Sequence, residues 1–280
     1  MKKSFANTKP PVLAAVIKET TPKAAMAAIK NSTLAGANAF DLHISVMNKE
    51  SITVEALKPV FDFTEKPILA LHYNQFPDAA TPKDDDNERV RQLLIALEAG
   101  AAGIDLQGYT FEPERDTKAT FQSKWIGENM RFASACPNEV TLNPATIEKQ
   151  TELIENIHAK DGEVLLSTHT GCFLDCGQVV DLLDFLHQRK PDILKLVTSG
   201  CDTDEQLAEY FKTMLYVKER YSDTKVHYHC NGKKTKLSRL IGPMLGAHIA
   251  FCVERYDELS VLDQLPLKET AELYSLFDKI

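Results

Sequence analysis

The chain has 280 residues, 44% hydrophobic and 26% charged, with a formal net charge of −8. That composition supplies ample material for a globular core, and the acidic balance excludes nucleic-acid binding as a main role, since phosphate neutralisation needs clustered Lys and Arg. The one basic cluster, Lys233-Lys234-Thr235-Lys236, is too short to change this, and no apolar run approaches ~18–20 residues, so no membrane span is expected.

In chain order, residues 11–17 read as a buried strand, and the Thr20-Thr21-Pro22 step opens a helix that runs to about Gly36. Residues 40–46 form a second strand, and Ser51 caps a helix over 54–63. A third strand covers 66–72, an amphipathic helix closed by Gly100 covers 86–99, and a fourth strand covers 102–106. Then follow helix 147–159, strand 163–167, helix 177–188, strand 192–197 and helix 204–220. Strand 225–230, helix 237–245, strand 248–253 and helix 267–276 complete the series. Eight short apolar strands, each followed by a helix, predict a single-domain (β/α)8 TIM barrel over residues 1–280. No GxGxxG follows a strand, so no dinucleotide cofactor is expected, and no other cofactor is implied. The six cysteines (Cys136, Cys172, Cys176, Cys201, Cys230, Cys252) are scattered and Met1-Lys2-Lys3 leads into no signal-like segment, which predicts reduced thiols and a cytoplasmic location.

Within strand 192–197, Lys195 is flanked by apolar residues on both sides. Burying an ammonium without a partner costs several kcal/mol unless the proton leaves, and an unprotonated lysine attacks carbonyl carbon to give a Schiff base. The competing reading is a lysine that snorkels off the strand end or pairs with a carboxylate. In a barrel, active-site groups come from the carboxyl ends of the strands. Asp105, Gln107, His169, Lys195, His229 and Asn231 all fall there.

Leu165-Leu166-Ser167-Thr168-His169, followed by Ile193-Leu194-Lys195-Leu196-Val197, resembles the type I 3-dehydroquinate dehydratases. In that family a strand ending Ser-x-His gives the general acid/base, and the next strand gives the Schiff-base lysine. Gly232 to Arg239 resembles the family's Gly…Ser-Arg turn, in which the arginine holds a carboxylate, and this brings in Ser238. Gly246-Ala247-His248-Ile249-Ala250-Phe251 resembles its Gly-Ser-x-x-Thr-Phe strand, and Asp263-Gln264-Leu265 its Pro-Gly-Gln-Leu loop, where Gln contacts substrate. Leu97 to Gln107 resembles the segment ending in Asp-x-Glu.

The departures lie in the pocket. The family's second strand carries Glu-x-Arg-x-Asp, for which the matching positions here are Ile44, Val46 and Asn48. Tyr73 stands where its third strand ends in arginine, Gln107 replaces the glutamate, and His229 and Asn231 replace methionines. Its Glu-Gly-Gly and its N-terminal hairpin are absent. Each lost charge-assisted hydrogen bond is worth ~1.5–3 kcal/mol, so the lysine chemistry is kept and the substrate pocket is rebuilt. By strand parity His43 and His72 point away from the positions matching the family's pocket, and neither enters the expected site.

The resemblance implies a Schiff-base lyase that dehydrates 3-dehydroquinate or a related keto compound, with a carboxylate-bearing small molecule as substrate and a homodimer as the assembly. Lys195 and His169 are the expected catalytic residues; Arg239, Gln264, His229, Asn231, Tyr73, Gln107, Asp105 and Ser238 are the expected substrate contacts. Three alternatives stand beside it: a Schiff-base aldolase on another keto acid, a non-catalytic ligand-binding barrel, and a zinc enzyme using His169, Cys172, Cys176, His227, His229 and Cys230. His169 also lies 64 positions beyond Asp105, about twice what one strand–helix–strand step requires. The surplus, about 108–144 with Trp125, Arg115, Lys118, Lys124 and Arg131, is expected as a lid or subunit contact.

Overall fold

The structure is a computed structural model that describes residues 3–73, 85–113 and 140–277. Strand and helix alternate as β1 (Val12–Ile17), α1 (Pro22–Leu34), β2 (Ala39–His43), α2 (Val54–Asp62), β3 (Ile68–Leu71), α3 (Asp86–Glu98) and β4 (Gly103–Gln107). There follow α4 (Pro144–His158), β5 (Glu163–His169), α5 (Cys176–His187), β6 (Ile193–Thr198), α6 (Asp204–Arg220) and β7 (Lys225–Cys230). The last elements are α7 (Thr235–Leu245), β8 (Ile249–Val253), the two-residue β9 (Leu265–Pro266) and α8 (Leu267–Phe277). Among the described residues no helix is long and apolar enough to cross a membrane.

The chain forms two compact units, Met1–Asp105 with Ile249–Ile280, and Leu106–His248. In the first, parallel pairing runs β4, β3, β2, β1, β8, β9. In the second, β6 lies between β5 and β7, also parallel. Parallel strands covered by helices on their flank are apolar on both faces, and β3, β6 and β8 are buried along their whole length. Helices α1 to α6 start where a short polar side chain accepts from the first turn: Thr21, Thr53, Asp85, Asn143, Asp175 and Thr203. At α5 and α6 the glutamine two residues inside the helix start reaches back to complete a capping box.

Three local readings change. β2 stops at His43, because residues Ile44–Val46 turn into a 3-10 helix rather than extending the strand. Thr53, not Ser51, caps α2, its hydroxyl accepting from Ala56 N at 3.2 Å, while Ser51 ends a second 3-10 turn. β5 continues to His169, so that histidine sits on the strand.

Most of the expected insertion, including Arg115, Lys118, Trp125, Lys124 and Arg131, lies outside the described residues. Its described ends are pinned together: Thr141 N donates to Gly108 O at 3.0 Å, and Gly108 N donates to Ser167 O at 2.8 Å. Gln150 of α4 donates to the carbonyls of Gly108 and Thr110 and accepts from the buried Arg189 Nε at 2.8 Å. The described ends of the segment therefore meet beside Ser167 of β5.

Candidate active site

The register of β5, β6 and β7 aligns Ser167, Lys195 and His227 on one level, and His169, Val197 and His229 on the level two residues further toward the carboxyl ends. Side chains two apart share a face, and level residues on neighbouring parallel strands stand about 4.8 Å apart. Lys195 is thus flanked by Ser167 and His227, with His169 and His229 diagonal to it on either side. Lys195 is only 8% exposed, Ser167, His227 and His229 are buried, and His169 is half-buried.

His227 was weighed from sequence only as a zinc ligand, yet it stands level with Lys195. Its Nε2 lies 2.8 Å from His229 Nδ1, with the rings 5.0 Å apart. His229 Nε2, on the far side of that ring, is buried and has no hydrogen-bond partner among the described residues. Burial holds the His229 imidazole well below its ordinary value, and the charges of Arg239, His227, Lys195 and His169 push the same way. His229 is therefore a neutral ring at physiological pH. The alternation rule applied to β7 would have found His227 two residues before His229.

Arg239 is positioned by the start of α7. Its Nη2 donates to Asn231 Oδ1 at 3.1 Å and its Nε to Thr235 Oγ1 at 3.4 Å. Asn231 thus orients Arg239, while its main chain donates to Thr198 O and accepts from Cys201 N. Ser238 is fully buried, and its hydroxyl hydrogen is directed at the carbonyls of Cys230 and Thr235, at 2.8 and 2.9 Å. Its place is a tie between β7 and α7. Gly232, at φ +138°, lets Cys201 approach: a Cβ there would stand 2.7 Å from the Cys201 main chain. Gln107 is fully buried at the end of β4, its carbonyl accepting from Thr110 N.

The zinc alternative finds no support in this geometry. Among the described residues no three His, Cys, Asp or Glu side chains gather to hold a metal ion. His227 and His229 point nitrogens at each other, whereas ligands aim their lone pairs at a common point. Cys172 Sγ donates to Phe173 O, and burial pushes this thiol up to about 12, away from the thiolate that a metal needs. Cys230, also raised by burial, is hydrogen-bonded to Thr198 Oγ1 at 2.9 Å.

The first unit carries its own polar level. His43 aligns with Leu71, and Leu71 with Asp105, so all three share a face. This corrects the parity that set His43 aside: it stands level with Asp105, an expected site residue. His43 Nε2 lies 3.3 Å from Asp41 Oδ2, and both are buried. Ile44 and Val46, the positions matched to the family's second strand, lie in the 3-10 helix beyond β2, and Asn48 follows it. His72 has the opposite parity, and its carbonyl accepts from Arg89 of α3 at 2.7 Å. Tyr73 and Asp105 are buried. Gln264, also buried, lines a cavity of about 260 Å³ with Lys18, Glu19, Asn31, Ser32 and Arg255.

Comparison with known proteins rests on the fold. No family profile and no curated protein sequence matches the chain. Among solved structures, 3-dehydroquinate dehydratase from Geobacillus kaustophilus HTA426 matches with TM-score 0.72 at 12% identity, covering 97% of this chain and 92% of that one. A type I 3-dehydroquinate dehydratase from Clostridium difficile, carrying covalently modified comenic acid, matches with TM-score 0.72 at 14% identity, covering 100% and 99%. The enzyme from Enterococcus faecalis matches with TM-score 0.68 at 10% identity, covering 98% of each. At these identities the likeness establishes the architecture: the chain has the (β/α)8 barrel fold of these dehydratases.

Proposed function

We propose that the chain is a Schiff-base-forming lyase of the type I 3-dehydroquinate dehydratase kind, which dehydrates a keto compound through an iminium on Lys195. The observation that carries this reading is the arrangement on β5–β7, where a buried lysine stands between Ser167 and His227 with His169 and His229 one level above. In its amine form Lys195 adds to a ketone, and His169 moves the protons that turn the carbinolamine into an iminium with loss of water. The iminium acidifies the neighbouring C–H, because the electron pair released on deprotonation delocalises to nitrogen as an enamine. Return of that pair expels a hydroxyl at the β-carbon, protonated as it leaves, and hydrolysis frees the amine. Arg239, fixed by Asn231 and Thr235, holds an anionic group of the substrate.

The same enamine serves retro-aldol cleavage, so the aldolase reading differs only in the bond broken. A non-catalytic ligand-binding barrel is favoured by Gln107, which stands where the family has a carboxylate. Borohydride reduction of the purified protein with pyruvate, 2-oxobutyrate and 3-dehydroquinate separates these readings. A stable mass increment mapped to Lys195 is expected with at least one of them. No increment with any member would leave the non-catalytic barrel standing. Product analysis then tells dehydration from cleavage, and sedimentation of the same sample tests the homodimer that the resemblance implies.

A further inference from the structure

We propose that His229 and His227 form a proton relay that serves the carbon acid of the Lys195 iminium, with His229 touching the ligand and His227 as the second station. This rests on the Schiff-base reading of Lys195. The geometry is that of a relay: one ring nitrogen of His229 meets His227 Nε2 at 2.8 Å, and the other, Nε2, is buried and lacks a hydrogen-bond partner among the described residues. An imidazole accepts a proton on one nitrogen and releases one from the other. A polar atom buried without a partner carries a desolvation cost that a ligand hydrogen bond would remove.

The step balances as follows. At rest His229 Nδ1–H donates to His227 Nε2, and the His229 Nε2 lone pair is available. The C–H bond beside the iminium breaks, its proton binds His229 Nε2, and its electron pair enters the C–C–N system as the enamine. His229 passes its Nδ1 proton to His227 Nε2, which becomes an imidazolium. The positive charge lost from the iminium appears on His227, so the net charge of the cluster is unchanged. The charges acting on His229 include those of Arg239 from α7, His227 from β7, Lys195 from β6 and His169 from β5, and with burial they leave the ring unprotonated at rest. Run in reverse, the dyad is the acid that returns the proton. The burial that keeps His229 neutral also keeps its lone pair ready. His169 remains the group for the carbinolamine steps.

The test is deuterium uptake at the carbon next to the ketone, followed by proton NMR in D2O for pyruvate, 2-oxobutyrate and 3-dehydroquinate, beside borohydride trapping of the same samples. The wild-type protein is expected to trap and to exchange. His229→Gln should lower exchange by about a hundredfold or more while Lys195 is still trapped, in keeping with the usual contribution of a general base. His227→Gln is the decisive variant, since its amide oxygen can still accept the His229 Nδ1–H and hold the ring but cannot take the proton. A comparable fall in exchange with His227→Gln supports the relay. Exchange at the wild-type rate in His227→Gln would overturn it and leave His227 as a positioning residue. Trapping together with undiminished exchange in His229→Gln would overturn the role of both. No adduct on Lys195 in the wild type would remove the underlying reading and the relay with it, an outcome distinct from trapping that survives while exchange does not. Retained trapping also serves as the folding control for each variant.

Discussion

Two sheet faces in this molecule bury polar side chains, and they do so in opposite ways. On β2–β4 a carboxylate and an imidazole are paired within the protein, Asp41 with His43 at 3.3 Å, with Asp105 on the same level as His43. On β5–β7 the charges that act on His229 are chiefly those of Arg239, His227, Lys195 and His169, all basic groups. The first arrangement is balanced from inside. The second is complementary to an anionic, electrophilic ligand, which is the reason to seek the chemistry there. Burial of polar groups is common to both faces and does not separate them; the source of the compensating charge does.

The strongest way to break this contrast is to remove the nucleophile. Lys195→Met keeps the length and apolar stem and should abolish the borohydride adduct completely, with little cost to folding; an adduct that persists on another lysine would move the site elsewhere. Next is the cation that would receive the ligand's charge. Arg239→Gln deletes a charge-assisted hydrogen bond worth about 1.5–3 kcal/mol, so affinity for a keto acid should fall roughly ten- to a hundredfold with less effect on trapping at saturation. Equal affinity, measured by titration calorimetry, would show that Arg239 faces no ligand charge.

Much of this could be read before any coordinates. Parallel strands leave short apolar runs between capped helices, so the order of elements and the barrel class were visible; Lys195 stood out as a cation in an apolar run, and the family resemblance brought in His169. What failed did so for local reasons. Ile44 and Val46 are β-branched and read as an extension of β2, yet the backbone leaves the sheet at His43, so a parity counted from Ile44 and Val46 does not carry back to His43. The pairing of Ser238, whose buried hydroxyl donates toward the carbonyls of Cys230 and Thr235, could not be read either, because hydroxyl direction is invisible in sequence. His227 was weighed only as a zinc ligand; alternation puts it on the face of His229, but that it stands level with Lys195 lies in the register, which sequence alone does not carry.

A smaller effect separates the faces by pH. The folded His229 is held below its ordinary value near 6.5, so between those two values the unfolded chain binds a proton that the native one does not. Stability is therefore fully present above about pH 6.5 and is lost as pH falls, by at most about 1.4 kcal/mol per pH unit from this one group. Urea unfolding at pH 7.5, 6.5 and 5.5 should show a declining midpoint that is flatter in His229→Gln. Identical slopes in the two proteins would mean that His229 ionises in the native state as freely as in the unfolded one.

The smallest expected effect is at the paired face. Asp41 Oδ2 meets His43 Nε2, but Asp41 Oδ1 is buried with no hydrogen-bond partner among the described residues. The attraction within a buried pair is offset by the cost of taking both groups out of water, and an unsatisfied carboxylate oxygen adds to that cost. Asp41→Asn keeps the shape, carries no charge to desolvate, and can still present a donor or an acceptor to the imidazole. Its destabilisation should therefore stay below about 1 kcal/mol, against the 3–5 kcal/mol typical of breaking a buried pair by deleting one partner. Asp41→Ala, which leaves His43 without that partner, should fall in the larger range. If both substitutions cost the same, the carboxylate charge itself holds β2 together, and the internal balance assigned to this face is wrong. If Asp41→Asn instead leaves stability intact and weakens keto-acid binding, the pair is reaching a ligand, and the contrast between the two faces becomes one of division of labour.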